Sequence, residues 1–267
     1  MPEINNSLKD IKQENSVNEN NIISKTEMLK EISSEFAIVC KELFKDYEIG
    51  DFIVRAVDNV SVTIHNGEFL VIKGPSGAGK TSFLNLIGGL DSPNKGILYS
   101  FGVKISDMEE ESLTTWRLLN TGFVFQNYNL ISTLTAEENI MFPMNLSGVA
   151  FKEQRKRAEE LLRKMNLLDR REHLPFQLSA GEQQRVAIAR ALANDPPMIL
   201  ADEPTANLDK KTSQFIRDIF KGLKDDVRTI IIATHDDYLI NIADRILSFD
   251  EGKIINEEII RKFELRL

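Results

Sequence analysis

A single cysteine, Cys40, stands among 267 residues, so no disulfide can close within the chain. That usage fits a reducing compartment, and the apolar run around Cys40 points to a packed thiol rather than a reactive one. The histidines are few and scattered, at His65, His173 and His235, so with one cysteine they offer no zinc set. No apolar run reaches the ~18 residues of a membrane span, so any action on a membrane must pass through a partner. A basic surplus is also missing. The net charge is −8 and the pI about 5.1, and no nucleic-acid partner is expected. No arginine precedes Arg55 and no apolar h-region opens the chain, so neither a transit peptide nor a secretory signal is expected. Internal repeats are absent.

What is present has the composition of a soluble globular protein, with 42% hydrophobic and 28% charged residues. Residues 1–34, rich in Asn, Glu, Ser and Lys, read as a disordered polar tail with a candidate short helix over 27–35. A domain is expected over 35–257, containing a helical lobe at about 127–190, with 258–267 as a short C-terminal end. Strands are predicted over 35–44, 55–64, 69–73, 97–99, 103–105 and 121–125, with Tyr47 and Phe52 in a polar turn between the first two. The lobe holds helices over 136–145 and 153–165. Thr135 with Glu138, and Ser179 with Glu182, resemble capping boxes that mark helix starts. Buried strands over 198–202 and 228–234 then alternate with helices over 211–223 and 238–243, before a closing hairpin over 245–256.

The chain is organised around Gly74-Pro75-Ser76-Gly77-Ala78-Gly79-Lys80-Thr81, which fits G-x-x-x-x-G-K-[ST] between an apolar strand and a helix opening at Ser82. Gly77 and Gly79 let the backbone curl so that N–H groups face one hollow suited to phosphate oxygens. The helix N-terminus adds partial positive charge. Lys80 supplies a point charge for the outer phosphates, and the Thr81 hydroxyl is a ligand for Mg²⁺. By itself the motif leaves kinase, GTPase, helicase and transport ATPase open. The strand over 198–202 ends in Asp202 and Glu203, the Walker B pattern: Asp202 can hold Mg²⁺, and Glu203 can orient or deprotonate an attacking water. A strand that merely ends in acids at a solvated edge is the plainer alternative, and the P-loop argues against it. Together these features give an α/β fold: a P-loop NTPase with a mostly parallel sheet core covered on both faces, an antiparallel β subdomain and an inserted α-helical lobe.

Leu178-Ser-Ala-Gly-Glu-Gln-Gln-Arg185 resembles the signature motif of ATP-binding-cassette (ABC) ATPases, with Ala180 where the family usually has Gly. The resemblance covers roughly 36–256. It implies that Ser179, Gly181 and Glu182 meet the γ-phosphate bound by a second subunit, so that two cassettes, a homodimer being the simplest case, sandwich two ATP molecules. It further implies that Gln126 is the Q-loop residue contacting Mg²⁺, that Asp209 belongs to the D-loop at the dimer interface, and that His235 is the switch histidine on the γ-phosphate. Tyr47 matches the aromatic that stacks on adenine, with Phe52 as its rival because loop length varies there.

Within the family, 122–126 and 129–139 are similar to the branch of lipoprotein-release, macrolide-export and cell-division ATPases. This implies an ATP-hydrolysing subunit, peripheral at the cytoplasmic face of a membrane, that energises a separate transmembrane subunit for export or mechanical work. Residues 126–146, with Phe142 and Met144, form either the groove for a short helix of that subunit or ordinary lobe core. A non-transport cassette ATPase acting on a macromolecular complex is the alternative. Those relatives usually carry two cassettes or a long coiled-coil insertion, and this chain has neither. A kinase or GTPase would leave the signature residues and His235 unexplained.

Overall fold

The protein is described here by a computed structural model covering residues 35–226 and 228–261. The expected tail and most of its candidate helix lie outside the described residues. Two sheets form the frame. The first is antiparallel, in the order β2-β1-β4-β5, from β1 (Phe36–Ile49), β2 (Phe52–His65), β4 (Lys95–Ser100) and β5 (Val103–Lys104). The second has the order β10-β9-β3-β8-β7-β6, from β3 (Phe69–Lys73), β6 (Thr121–Val124), β7 (Met198–Asp202), β8 (Thr229–Ala233), β9 (Arg245–Asp250) and β10 (Lys253–Ile259). Its strands run parallel except for β10, which is antiparallel at the edge.

The interiors of β3, β7 and β8 are apolar because both faces are covered. Phe69, Val71, Ile199, Ala201, Ile230 and Ile232 face one core, which contains Ile140 and Leu161 of the lobe and Ile216 and Phe220 of α6 (Lys210–Asp225). The alternate residues Leu70, Ile72, Met198, Leu200 and Ile231 face the other, with Ile38, Leu43 and Val57 of the antiparallel sheet and Phe83 and Leu86 of α1 (Lys80–Ile87). Cys40 is buried in this second core, and burial pushes its thiol far above the ordinary range, as a packed cysteine requires.

Three expectations need correction. Tyr47 and Phe52 are not in a turn. β1 runs on to Ile49, and the turn is Gly50-Asp51. Register shifts after Cys40 and Leu43 break the alternation that would have revealed the longer strand. At this irregularity Glu42 has φ 52 and its N–H donates to Ser61 Oγ at 2.8 Å. Ile105 opens a 3-10 turn instead of ending a strand. Finally, an unforeseen helix, α2 (Glu110–Asn120), buries only Leu113 and Trp116 with two threonines between them, too sparse a stripe to read as helical.

Between β6 and β7 lie α3 (Ala136–Leu146), α4 (Phe151–Lys164) and α5 (Ala180–Ala191). Both expected capping boxes are formed, at Thr135 for α3 and Ser179 for α5. A half-buried amide ties α3 to α2. Asn194 Nδ2 donates to the carbonyls of Leu118 and Pro143 at 3.0 and 3.1 Å, while its Oδ1 accepts from Ser147 Oγ.

The strand starts are fixed by a buried ion pair. Arg245 Nε donates to Glu68 Oε1 at 2.7 Å, and Arg245 Nη2 reaches Glu68 Oε2 at 3.0 Å and the Thr63 carbonyl. This joins β2, β3 and β9 at one end. Glu68→Ala is expected to leave the Arg245 guanidinium buried with half its partners lost and to cost about 3 kcal/mol in a urea unfolding titration. A loss below about 1 kcal/mol, the range of exposed pairs, would show that the pair does not hold the strand starts.

Candidate active site

The strands β3, β8, β7 and β6 lie side by side and parallel, so the residues that follow each of them arrive at one edge of the sheet. After β3 comes the loop from Gly74 to Gly79. Gly74, Gly77 and Gly79 have φ of 155, 81 and 97°, and Gly79 lies immediately before α1. At Gly79 a Cβ would lie 2.1 Å from the Ala56 carbonyl oxygen, so a side chain there is excluded both by space and by φ. Pro75, Ser76 and Ala78 complete the curve, with Ala78 N–H donating to the Pro75 carbonyl at 3.2 Å. The Lys80 side chain curls back over the loop, and its ammonium donates to the carbonyls of Gly74 and Pro75 at 2.6 and 2.9 Å.

At the end of β7, Asp202 Oδ2 accepts the Thr81 hydroxyl at 2.5 Å, so the two expected metal-binding oxygens meet across the sheet edge. Glu203 follows with φ 45 and its N–H bonded to the Ala233 carbonyl at 2.8 Å. Past β8, His235 Nε2 lies 3.5 Å from Glu203 Oε1. Past β6, Gln126 stands exposed at the same edge. The structure therefore gathers the P-loop, Asp202, Glu203, His235 and Gln126 along one rim.

Tyr47 is half-buried on β1, and its hydroxyl donates to Asp91 Oδ2 at 2.8 Å and engages Ser82 of α1. Burial first, then Asp91, pushes the phenol up, while Ser82 opposes them. The Lys45 ammonium lies 5.0 Å from the ring centre and pairs with Asp91 Oδ1 at 2.5 Å. Phe52, the rival aromatic, is 77% exposed beyond the turn. Of the two, Tyr47 is the one tied to the helix that follows the P-loop.

The signature residues are placed elsewhere. Ser179 Oγ and N–H both bond Glu182 Oε2, at 2.9 and 2.8 Å, and Arg170 Nε reaches Glu182 Oε1 at 3.2 Å. Burial pushes the Glu182 carboxyl up, but these donors outweigh it and hold the group below the usual range. At Gly181 a Cβ would lie 2.6 Å from Thr212 Cγ2, so this glycine lets α5 approach α6 as well as clearing a surface. Asp209 caps α6, accepting from the N–H groups of Lys211 and Thr212 and from the Thr212 hydroxyl at 2.6 Å. Its carboxylate thus has an intrachain task that the sequence did not suggest. None of these bonds reaches the P-loop of the same chain.

One further residue was not foreseen. Arg190, near the far end of α5, donates to the carbonyls of Asn129 and Tyr128 at 2.5 and 2.8 Å, and these two residues have φ of 48 and 61°. Burial pushes its guanidinium down to about 10. The signal was a lone charge inside the apolar run Val186–Ala193. An apolar groove of about 550 Å³ opens beside it, lined by Leu90, Phe123, Phe125, Phe142 and Leu146. The two alternatives for this stretch divide by residue: Phe142 lines the groove, whereas Met144 is 2% exposed and belongs to the core.

The ABC transporter family profile matches residues 57–206 of this chain. An uncharacterized ABC transporter ATP-binding protein of Methanocaldococcus jannaschii, MJ0796, is 44% identical over 86% of the chain and all of its own length. This chain belongs to the ABC transporter family. A solved dimeric, post-hydrolysis state of the MJ0796 cassette bound to ADP and Pi matches 85% of the chain at 43% identity, with a TM-score of 0.81. The macrolide export ATP-binding/permease protein MacB of Hyphomonas neptunium is 43% identical over 82% of this chain, which spans 34% of that protein. This ABC chain is thus similar to export-type cassettes, and it is an ATP-binding, ATP-hydrolysing subunit that energises a membrane transporter. Among its described residues no helix is long and apolar enough to cross a membrane.

Gly79→Ala is expected to strain the loop by about 2 kcal/mol or more and to abolish titratable binding of a fluorescent ATP analogue. Retained binding would mean that the Ala56 carbonyl yields.

Proposed function

We propose that two copies of this chain close face to face over two ATP molecules, each site pairing one P-loop with the other copy's Ser179, Gly181 and Glu182. The observation that carries this reading is the separation within one chain. Thr81, Asp202, Glu203 and His235 converge, whereas among the described residues the Ser179 and Glu182 side chains bond to their own helix start and Arg170. A single chain offers the phosphates one wall, and a second copy supplies the other.

In that closed state Lys80 leaves the Gly74 and Pro75 carbonyls for the β- and γ-phosphates, and the loop N–H groups hold the remaining oxygens. Tyr47 stacks on the adenine, since it is the aromatic anchored beside α1. The oxygens of Thr81 and Asp202, already in contact, form a hard-donor pair suited to Mg²⁺, which keeps waters and needs few carboxylates, with Gln126 reaching in from β6. Mg²⁺ would neutralise charge on the transferred phosphoryl group. Glu203 accepts a proton from the attacking water, and His235, within reach of Glu203, holds the γ-phosphate side.

The groove beside Phe142 takes a short apolar helix of a separate transmembrane subunit at the cytoplasmic face, and the work is export-type or mechanical. Support comes from the groove's apolar lining and from Arg190, which fixes the 128–129 backbone at its edge.

Lys80→Ala is expected to lose ATP binding and turnover. Glu203→Gln should bind ATP, lose at least about 100-fold in turnover and elute as a stable dimer in ATP and Mg²⁺ on size exclusion. A monomeric Glu203→Gln with parental turnover would sink the assignment. Tagged Glu203→Gln captured in mild detergent with ATP should bring down a polytopic membrane protein, and Phe142→Glu should release it.

A further inference from the structure

His235 is poorly held by its own side chain. That side chain is 59% exposed, and its described polar contact is Glu203 at 3.5 Å. The next residue, Asp236, is held far more firmly. Its side chain is 6% exposed, and its carboxylate gathers donors from three parts of the chain. Oδ2 accepts the Thr205 hydroxyl at 2.9 Å and Arg217 Nε at 2.9 Å, with Arg217 Nη2 at 2.8 Å. Oδ1 accepts the N–H groups of Tyr238 and Leu239 at 3.0 and 3.3 Å, capping α7 (Asp237–Ile242). The Asp236 N–H in turn donates to Thr234 Oγ1 at 3.1 Å.

The donors come from informative places. Thr205 lies on the loop that begins with Glu203. Arg217 lies two turns into α6, the helix that Asp209 caps, and its guanidinium sits 5.7 Å from the Tyr238 ring centre. Burial pushes the Asp236 carboxyl up, and the bonds from Arg217, Thr205 and Leu239 outweigh it and hold it below the usual range. The carboxylate is therefore charged, buried and dependent on these partners.

We propose that Arg217 is a positioning residue for ATP turnover: with Thr205 it clamps Asp236, and so fixes where His235 stands relative to Glu203. The inference rests on the roles given above to Glu203 and His235. The described contacts of the Arg217 guanidinium are Asp236 and the Tyr238 ring, not Glu203 or His235. It acts through the backbone on which His235 hangs, and it ties that backbone to the helix beginning at Asp209. Without the guanidinium, Asp236 keeps one hydroxyl and two N–H groups, and the 235–236 segment loses its link to α6. A displacement of about 1 Å at a reacting group can cost on the order of 100-fold in rate.

The test uses the purified full chain, with steady-state ATP hydrolysis in Mg²⁺ and thermal unfolding recorded alongside. Arg217→Met keeps the stem and removes the fork. It is expected to lower kcat about tenfold or more while KM for ATP moves less than about twofold. Arg217→Lys should recover part of the loss by restoring one charged donor. Thr205→Val removes a different donor to the same oxygen and should reproduce the split on a smaller scale, so it carries the test if Arg217→Met fails to fold. In a His235→Ala background, adding Arg217→Met should cost less than about twofold more, because the clamp then has nothing to position. The proposal is overturned if Arg217→Met turns over within about twofold of the parent, if KM rises as far as kcat falls, or if the loss is fully additive with His235→Ala. Parental turnover in His235→Ala alone would instead overturn the role assigned to His235.

Discussion

A parallel strand buried on both faces has no place for a polar side chain except at its ends. The short strands β3, β7 and β8 obey this closely, with every residue from Phe69 to Ile72, Met198 to Ala201 and Ile230 to Ala233 buried. Their direction then decides which end carries chemistry. Because β3, β8, β7 and β6 point the same way, the first polar residues after each fall on one rim, and the Thr81–Asp202 bond forms there without any long excursion of chain. The other end is closed by the Glu68–Arg245 pair, which leaves the functional edge free of that structural task.

The loops on the rim adopt backbone conformations that a free peptide avoids, and the frame holds them there. Glu203, Asn207, Tyr128 and Asn129 all have positive φ. Glu203 is held by the Ala233 carbonyl, and the 128–129 backbone by Arg190. These restraints from a neighbouring strand and helix add to bonds within the loops, so the placement of these residues depends on the packing around them.

Legibility in the sequence followed how local the determining physics is. The apolar strands, the P-loop and the two capping boxes are written in a few consecutive residues and were readable as such. Tyr47 was misplaced into a turn because irregular pairing after Cys40 hides a strand's period. The helix from Glu110 to Asn120 was missed because Leu113 and Trp116 are its only buried side chains. Met144 reads like Phe142 in sequence, and only the fold separates core from groove. Asp236 was not singled out in the sequence, because its bonds to Thr205 and Arg217 span 31 and 19 residues and leave no local trace. Arg190 alone gave a warning, as a charge inside an apolar run.

The helix α5 is gripped at both ends. Its first residues carry the box between Ser179 and Glu182, and Arg190 near its last turn holds the carbonyls beside the apolar groove. Twelve residues make a rod of about 18 Å, stiff over that length because every turn is hydrogen-bonded. Such a rod works as a lever: a displacement at the groove arrives at Ser179 without passing through the chain's own P-loop. If two copies close as proposed above, they would be cross-wired, each one's groove reporting to the nucleotide held by the other.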